Sequence, residues 1–230
     1  MKIHGLQKLT LLDYPEKTAC TVFTGGCNFR CPFCHNALLV TDIDSSQTYS
    51  EEEILDFLSK RTGLLDGVCI TGGEPLMNGD IADFIKKIKE MGYSVKLDTN
   101  GTFPERLKTL LENNLIDYVA MDIKNSKYKY AITAGIKNVN ISDIERSINL
   151  LKSSDIDYEF RTTVVNEFHT ESDILKIAEW IKGAKKYFLQ NFEDSGNLIG
   201  ENLTAVSKEV LESMKSAAKA FVENTQIRGV

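Results

Sequence analysis

The chain has 230 residues, of which 42% are apolar and 26% charged, and it carries a formal net charge of −6. That length supplies one good hydrophobic core rather than two, and the negative balance excludes free nucleic acid and anionic membrane surfaces as expected partners. No apolar run reaches the ~18 residues that a membrane span needs. The start, Met1-Lys2-Ile3-His4-Gly5, lacks the long apolar stretch of a signal peptide. The expectation is a single domain over 1–230 in the cytoplasm.

In chain order, β-rich runs alternate with helical patterns. Strands are expected at 19–23, 67–71, 94–98, 117–123, 158–165 and 186–190, all rich in Val, Ile, Phe, Tyr and Thr. Between them, Ile81, Phe84, Ile85, Ile88 and Met91 share one 3.6-period face, and Gly92 follows as a C-terminal cap. Leu107, Leu110 and Leu111 form a shorter stripe; Ile174, Ile177, Ala178 and Ile181 form another. A last helix is expected over 207–223. Ser50-x-x-Glu53 and Ser142-x-x-Glu145 read as capping boxes, and Thr170-x-x-Asp173 as a weaker one. The stripes are plain core.

Six β–α alternations imply a mainly parallel sheet with helices outside. An open doubly wound sheet and a curved partial barrel both fit that pattern. Polar clusters at the strand ends favour the barrel: Thr71-Gly72-Gly73-Glu74, Asp98-Thr99-Asn100-Gly101, Asp122-Ile123-Lys124 and Gln190-Asn191. In barrels the C-terminal strand ends carry the active site. The expected fold is therefore α/β, an open β/α barrel of about six parallel strands.

Five cysteines, an odd number, argue against a disulfide framework. Cys20 and Cys69 lie inside expected strands and read as small hydrophobes. Cys27, Cys31 and Cys34 lie on the loop 25–36 at Cys-x3-Cys-x2-Cys spacing. Iron–sulfur clusters of four irons normally take four cysteine ligands. Three would leave one iron with an open position for a cofactor or substrate. A structural zinc site completed by His35 is disfavoured, because no second half-motif exists. An electron-carrier ferredoxin is disfavoured by the size of the chain.

The other strand-end motifs have plain alternatives. Gly72 and Gly73 let a backbone approach a ligand closely, and Glu74 offers an acceptor for an ammonium group, although a plain strand–helix turn would read the same. Asn100-Gly101 is a common turn pair. Asp122 and Lys124 share one side of their strand, as a simple salt bridge would. A buried Arg161 would need a partner. The stretch 124–130 is basic and aromatic, and reads as a solvated loop more readily than as a docking surface. His4 and His169 read as surface or satisfied histidines.

The cysteine motif, with Phe33 as the aromatic residue before its third cysteine, resembles the signature of the radical S-adenosylmethionine (SAM) superfamily. The Cys34-His35-Asn36 ending and the preceding Asp13-Tyr14-Pro15 are similar to the activating enzymes of glycyl radical enzymes, and among these the run 5–36 looks most like those serving anaerobic ribonucleoside-triphosphate reductase. The resemblance implies a [4Fe–4S] cluster on Cys27, Cys31 and Cys34, and SAM held by Phe33, His35, Gly72, Gly73, Glu74, Asp98, Asp122, Lys124, Arg161 and Gln190. It further implies a monovalent cation near Asp98 and Thr99. The partners it implies are a glycyl radical enzyme and an external electron donor such as a flavodoxin or ferredoxin. The alternatives are an activase of the pyruvate formate-lyase type, a small-molecule enzyme such as a deazapurine-precursor synthase, and a non-enzymatic interaction module.

Overall fold

A computed structural model describes residues 1, 3–43 and 48–229. Eight strands form one sheet: β1 (Ile3–Thr10), β2 (Ala19–Thr24), β3 (Gly67–Gly72), β4 (Ser94–Thr99), β5 (Tyr118–Asp122), β6 (Asp157–Val164), β7 (Tyr187–Asn191) and β8 (Thr225–Arg228). They lie side by side in sequence order. β1 runs antiparallel to β2, and every later pair is parallel. The helices are α1 (Leu38–Thr41), α2 (Glu51–Ser59), α3 (Ile81–Glu90), α4 (Pro104–Glu112), α5 (Tyr130–Thr133), α6 (Ile141–Ser153), α7 (Glu171–Trp180) and α8 (Lys208–Ala218).

The six expected strands are β2 to β7. The sheet is wider than the sequence suggests because β1 and β8 extend it at either edge. β1 interrupts its apolar residues with His4, Gly5, Gln7 and Lys8, and β8 has only four residues, so neither carries strong alternation. Doubly wound sheets reverse strand order at a switch point; this one does not. The sheet also curls. Tyr14, which leads into β2, has its ring centroid 6.1 Å from that of Tyr118 on β5, three strands away, and the two share one cluster with Ala19 and Ala120. In a flat sheet, with neighbours ~4.8 Å apart, side chains of that size would not meet. β1 and β8 remain as the two edges, so the curve is an unclosed barrel.

The main core lies on the convex side, between strands and helices. Ile81, Phe84, Ile85 and Ile88 are the buried stripe of α3, and each such side chain stabilises the fold by about 1.5–3 kcal/mol. Gly92, at φ +88°, closes that helix in a conformation costly for any residue with a Cβ. The capping boxes at Ser50 and Thr170 form as expected. The one expected at Ser142 does not: Asn140 takes the cap by accepting from the Ser142 amide, so α6 begins two residues earlier. The last helix stops at Ala218, short of 223, to release the chain into β8. Cys20 is core as expected. Cys69, although buried, instead faces the concave side, with its sulfur 3.7 Å from Lys96 Nζ. Among the described residues no helix is long and apolar enough to cross a membrane.

Candidate active site

The parallel strands deliver their C-terminal ends to one rim of the barrel, and a cleft of about 370 Å³ opens there. Its walls bring together Cys27, Cys31, Phe33, Cys34 and His35 from the loop after β2, and Gly72 and Gly73 from the end of β3. Asp98, Asp122, Lys124, Arg161 and Gln190 complete them from the ends of β4 to β7. Twelve of the thirteen residues that the motifs single out therefore line one cavity. The thirteenth, Glu74, is fully buried behind it. Its carboxylate accepts from the Leu76 amide at 3.0 Å, the Thr99 hydroxyl at 2.8 Å and the Asn100 amide at 2.6 Å. It ties the end of β3 to the end of β4. Burial pushes its pKa up to about 7, against those three donors.

The cysteine loop is held on several sides. The Arg30 amide donates to the Ala134 carbonyl at 2.9 Å, the Gly200 amide to Pro32 at 2.8 Å and the Asn36 side-chain amide to Gly72 at 3.0 Å. Phe29 packs edge-on against Tyr130 and Phe33 against Phe168, so the stretch 124–130 buttresses the loop while its Tyr128 projects into solvent. His35 Nε2 donates to the Glu193 carbonyl at 2.9 Å, and its ring stacks on Phe192. Gly73 is a contact point between loops. Its amide donates to Thr24, the next amide to Gly26 at 2.8 Å, and a Cβ on Gly73 would lie 1.9 Å from the Gly26 carbonyl oxygen.

The floor of the cleft is a row of alternating charges on the concave face. Lys96 Nζ lies 2.5 Å from Asp98 Oδ1. Arg161 donates to Asp98 at 3.3 Å and to Asp122 at 2.9 Å. Lys124 closes the row on Asp122 at 3.1 Å. Burial alone would raise both carboxyls, but the flanking cations outweigh it. Asp98 is held below its ordinary value and Asp122 is lowered to about 2. Lys124 and Arg161 are raised in turn by the carboxylates, against burial. Deeper in the barrel, buried Glu159 accepts two bonds from Arg228 and one from Tyr118.

Several lining residues take no role from the sequence: Asn36, Thr71, Asn100 and Asn191, which stand within the motifs, and Thr163 and Glu193, which lie outside them. Lys96 lies beneath them. It could have been found, because it stands two residues before Asp98 and so shares its side of the strand. His169 is satisfied: its Nε2 donates to the Lys124 carbonyl at 2.8 Å. His4 is neither a surface nor a satisfied histidine; its Nε2 is buried beside Gly25 without a partner among the described residues.

Residues 21–181 match the radical SAM superfamily. The chain belongs to that superfamily. This radical SAM chain is 35% identical over 237 aligned positions, covering 99% of it and 96% of its relative, to a protein of Methanocaldococcus jannaschii named provisionally as a glycyl-radical enzyme activating enzyme. It is 30% identical to the 7-carboxy-7-deazaguanine synthase of Thermoplasma acidophilum, over 70% of the chain and 78% of that protein. Among solved structures it overlays on anSMEcpe with bound AdoMet at a TM-score of 0.66 and 18% identity, covering 89% of this chain and 61% of the other.

The superfamily implies a [4Fe–4S] cluster and SAM, and the cleft fits both. All three thiols of the motif line it, unbridged by disulfides. Burial holds Cys27 and Cys31 protonated in the free protein, Cys31 with a pKa pushed up to about 12, so metal ligation would release protons. Among the described residues no three His, Cys, Asp or Glu side chains are gathered round a single ion; a cluster several ångströms across takes its ligands from more widely spaced thiols. The expected monovalent cation fits poorly. Both Asp98 oxygens are engaged by Lys96, Arg161 and Thr71, and the Thr99 hydroxyl donates to Glu74.

Proposed function

We propose that this radical SAM protein activates a glycyl radical enzyme, with anaerobic ribonucleoside-triphosphate reductase as its target. The observation that carries the activase reading is the similarity to the Methanocaldococcus jannaschii relative, which runs nearly the whole length of both chains; the choice of target rests on the likeness of the run 5–36. The Cys34-His35-Asn36 ending and the cleft lined by all three motif cysteines support it. Cys27, Cys31 and Cys34 would hold the cluster, which, once reduced by an external donor, would supply the one electron needed to cleave SAM into methionine and a 5′-deoxyadenosyl radical able to take a hydrogen from a glycine.

The protein's own residues bind, orient and shield. The Gly72–Gly73 backbone receives the SAM ammonium group, and Glu74 braces that backbone from behind. Arg161 and Lys124 offer donors to the SAM carboxylate and ribose, with Asp98 and Asp122 fixing their positions. Phe33, His35 and Gln190 border the adenosine. The residues lining the cleft shield a reactive intermediate from water, and the unpaired edges of β1 and β8 are where a glycine loop would enter. One domain suffices. The electron comes from an external flavodoxin or ferredoxin, and the reaction belongs in the cytoplasm.

The test is anaerobic. The reconstituted, reduced protein is mixed with SAM and the reductase, and the electron paramagnetic resonance spectrum is recorded. A glycyl doublet that requires SAM and all three cysteines is the expected result. SAM cleavage without a protein radical would move the target to a pyruvate formate-lyase type of enzyme or to a small molecule. The second case has its own support in the similarity to the deazaguanine synthase. An intact cluster with no SAM cleavage would leave only an interaction module.

A further inference from the structure

Lys96 is a buried lysine that none of the roles above uses. Its side chain is 3% exposed, and it points from β4 into the concave interior beneath the SAM cleft. A buried ammonium survives only with a counter-charge and hydrogen bonds. Lys96 has both: Asp98 Oδ1 at 2.5 Å and the Cys69 sulfur at 3.7 Å. Burial and the Arg161 charge oppose its ionisation, but the Asp98 carboxylate outweighs them, and the amine stays protonated. The second Asp98 oxygen is taken by Arg161 and by the Thr71 hydroxyl, each at 3.3 Å. The whole row holds three cations and two carboxylates, and so carries one positive charge in excess.

A free alkali ion at Asp98 would have to displace one of these donors and enter a group that is already net positive. We propose that the Lys96 ammonium is the built-in cation of this cleft, a positioning residue. It holds Asp98 ionised and turned toward Arg161, and it makes SAM binding independent of monovalent metal ions. The two positions are neighbours by construction. Residues 96 and 98 project to one side of β4, with the lysine deeper and its four-carbon stem reaching up to the carboxylate. The proposal concerns SAM binding alone and rests on the cleft being the SAM site, not on the identity of the glycyl partner.

The experiment measures SAM affinity of the cluster-loaded protein by anaerobic calorimetry. Buffers of equal ionic strength contain potassium, sodium or tetramethylammonium, an ion too bulky to replace an ammonium beside Asp98. The natural protein should bind SAM within about twofold in all three. Lys96→Met should lose on the order of tenfold in tetramethylammonium and recover most of it in potassium or sodium. A natural protein whose affinity rises fivefold or more on adding either metal ion would overturn the proposal. So would a Lys96→Met variant that binds equally well in every buffer. Should the variant fail to fold, the comparison of buffers on the natural protein decides alone. Absence of SAM binding under every condition would remove the site reading and this proposal together, whereas a failed glycyl radical assay would leave it untouched.

Discussion

Alternate residues of the same strands face two different media. On β6, Tyr158, Phe160 and Val164 are buried in the helix-covered core, while Glu159 and Arg161 turn to the concave side and their counter-charges. β4 repeats the contrast, with Val95 and Leu97 outward and Lys96 and Asp98 inward. The convex face is stabilised by shape and apolar burial, and tolerates errors of volume to the extent that neighbours can close up. The concave face is stabilised by matching of charge, and tolerates the loss of a partner badly, because the remaining ion is left buried. Stability and chemistry are thus divided between two sides of one sheet.

The sharpest break should come at the cysteine loop. Cys31→Ser should drop iron and sulfide content after reconstitution to near background and abolish SAM cleavage, while the circular dichroism of the metal-free chain stays unchanged. Next is a matched pair across the sheet. Arg161→Met leaves Asp98 and Asp122 without their shared cation and should cost about 3–5 kcal/mol together with most SAM affinity. Ile85→Ala, on the convex side, should cost about 2–5 kcal/mol and leave the SAM affinity of the folded fraction as it was. Urea unfolding and calorimetry on both variants read the two effects separately.

A third effect is one of pH. Burial raises the Glu74 carboxyl from the ordinary glutamate value of 4.5 to about 7, so the folded state binds its proton more tightly than the unfolded state does. Its contribution is fully present below about pH 4.5 and is lost as pH rises through about 7. The unfolding free energy of the metal-free protein should therefore fall between pH 5 and pH 8 by up to about 3 kcal/mol, read as a falling urea midpoint. Asp122 has the opposite sign: lowered to about 2, it contributes stability above about pH 4 that disappears as pH falls toward 2. A midpoint that rises steadily from pH 5 to pH 8 would contradict the Glu74 assignment. The smallest effect belongs to the surface: Thr170→Ala removes the α7 capping box and should cost about 1 kcal/mol with no change in SAM affinity.

The sequence carried the outer face of this sheet well and the inner face in part. β2 to β7 are legible because each is a dense run of β-branched and aromatic residues between glycines and polar turns. β1 and β8 are not, because an edge strand needs to satisfy only one neighbour, and Gly5 and Lys8 are acceptable there. The cysteine loop is legible because its chemistry depends on close spacing along the chain. Lys96 was within reach of simple alternation from Asp98. The Glu159–Arg228 pair was not: its members are 69 residues apart, and only the curl of the sheet makes them partners. The cap of α6 shows a finer limit. Ser142 and Glu145 have the right spacing, but Asn140 is the better placed acceptor.

The contact at Gly73 has a mechanical consequence. With no room for even a methyl group between it and the Gly26 carbonyl, and with two backbone bonds pinning the same spot, the cysteine loop and the β3 turn are keyed together like gear teeth. Neither can swing by itself. Any breathing that opens the cleft to admit a bulky partner must therefore leave this joint intact and occur elsewhere along the rim.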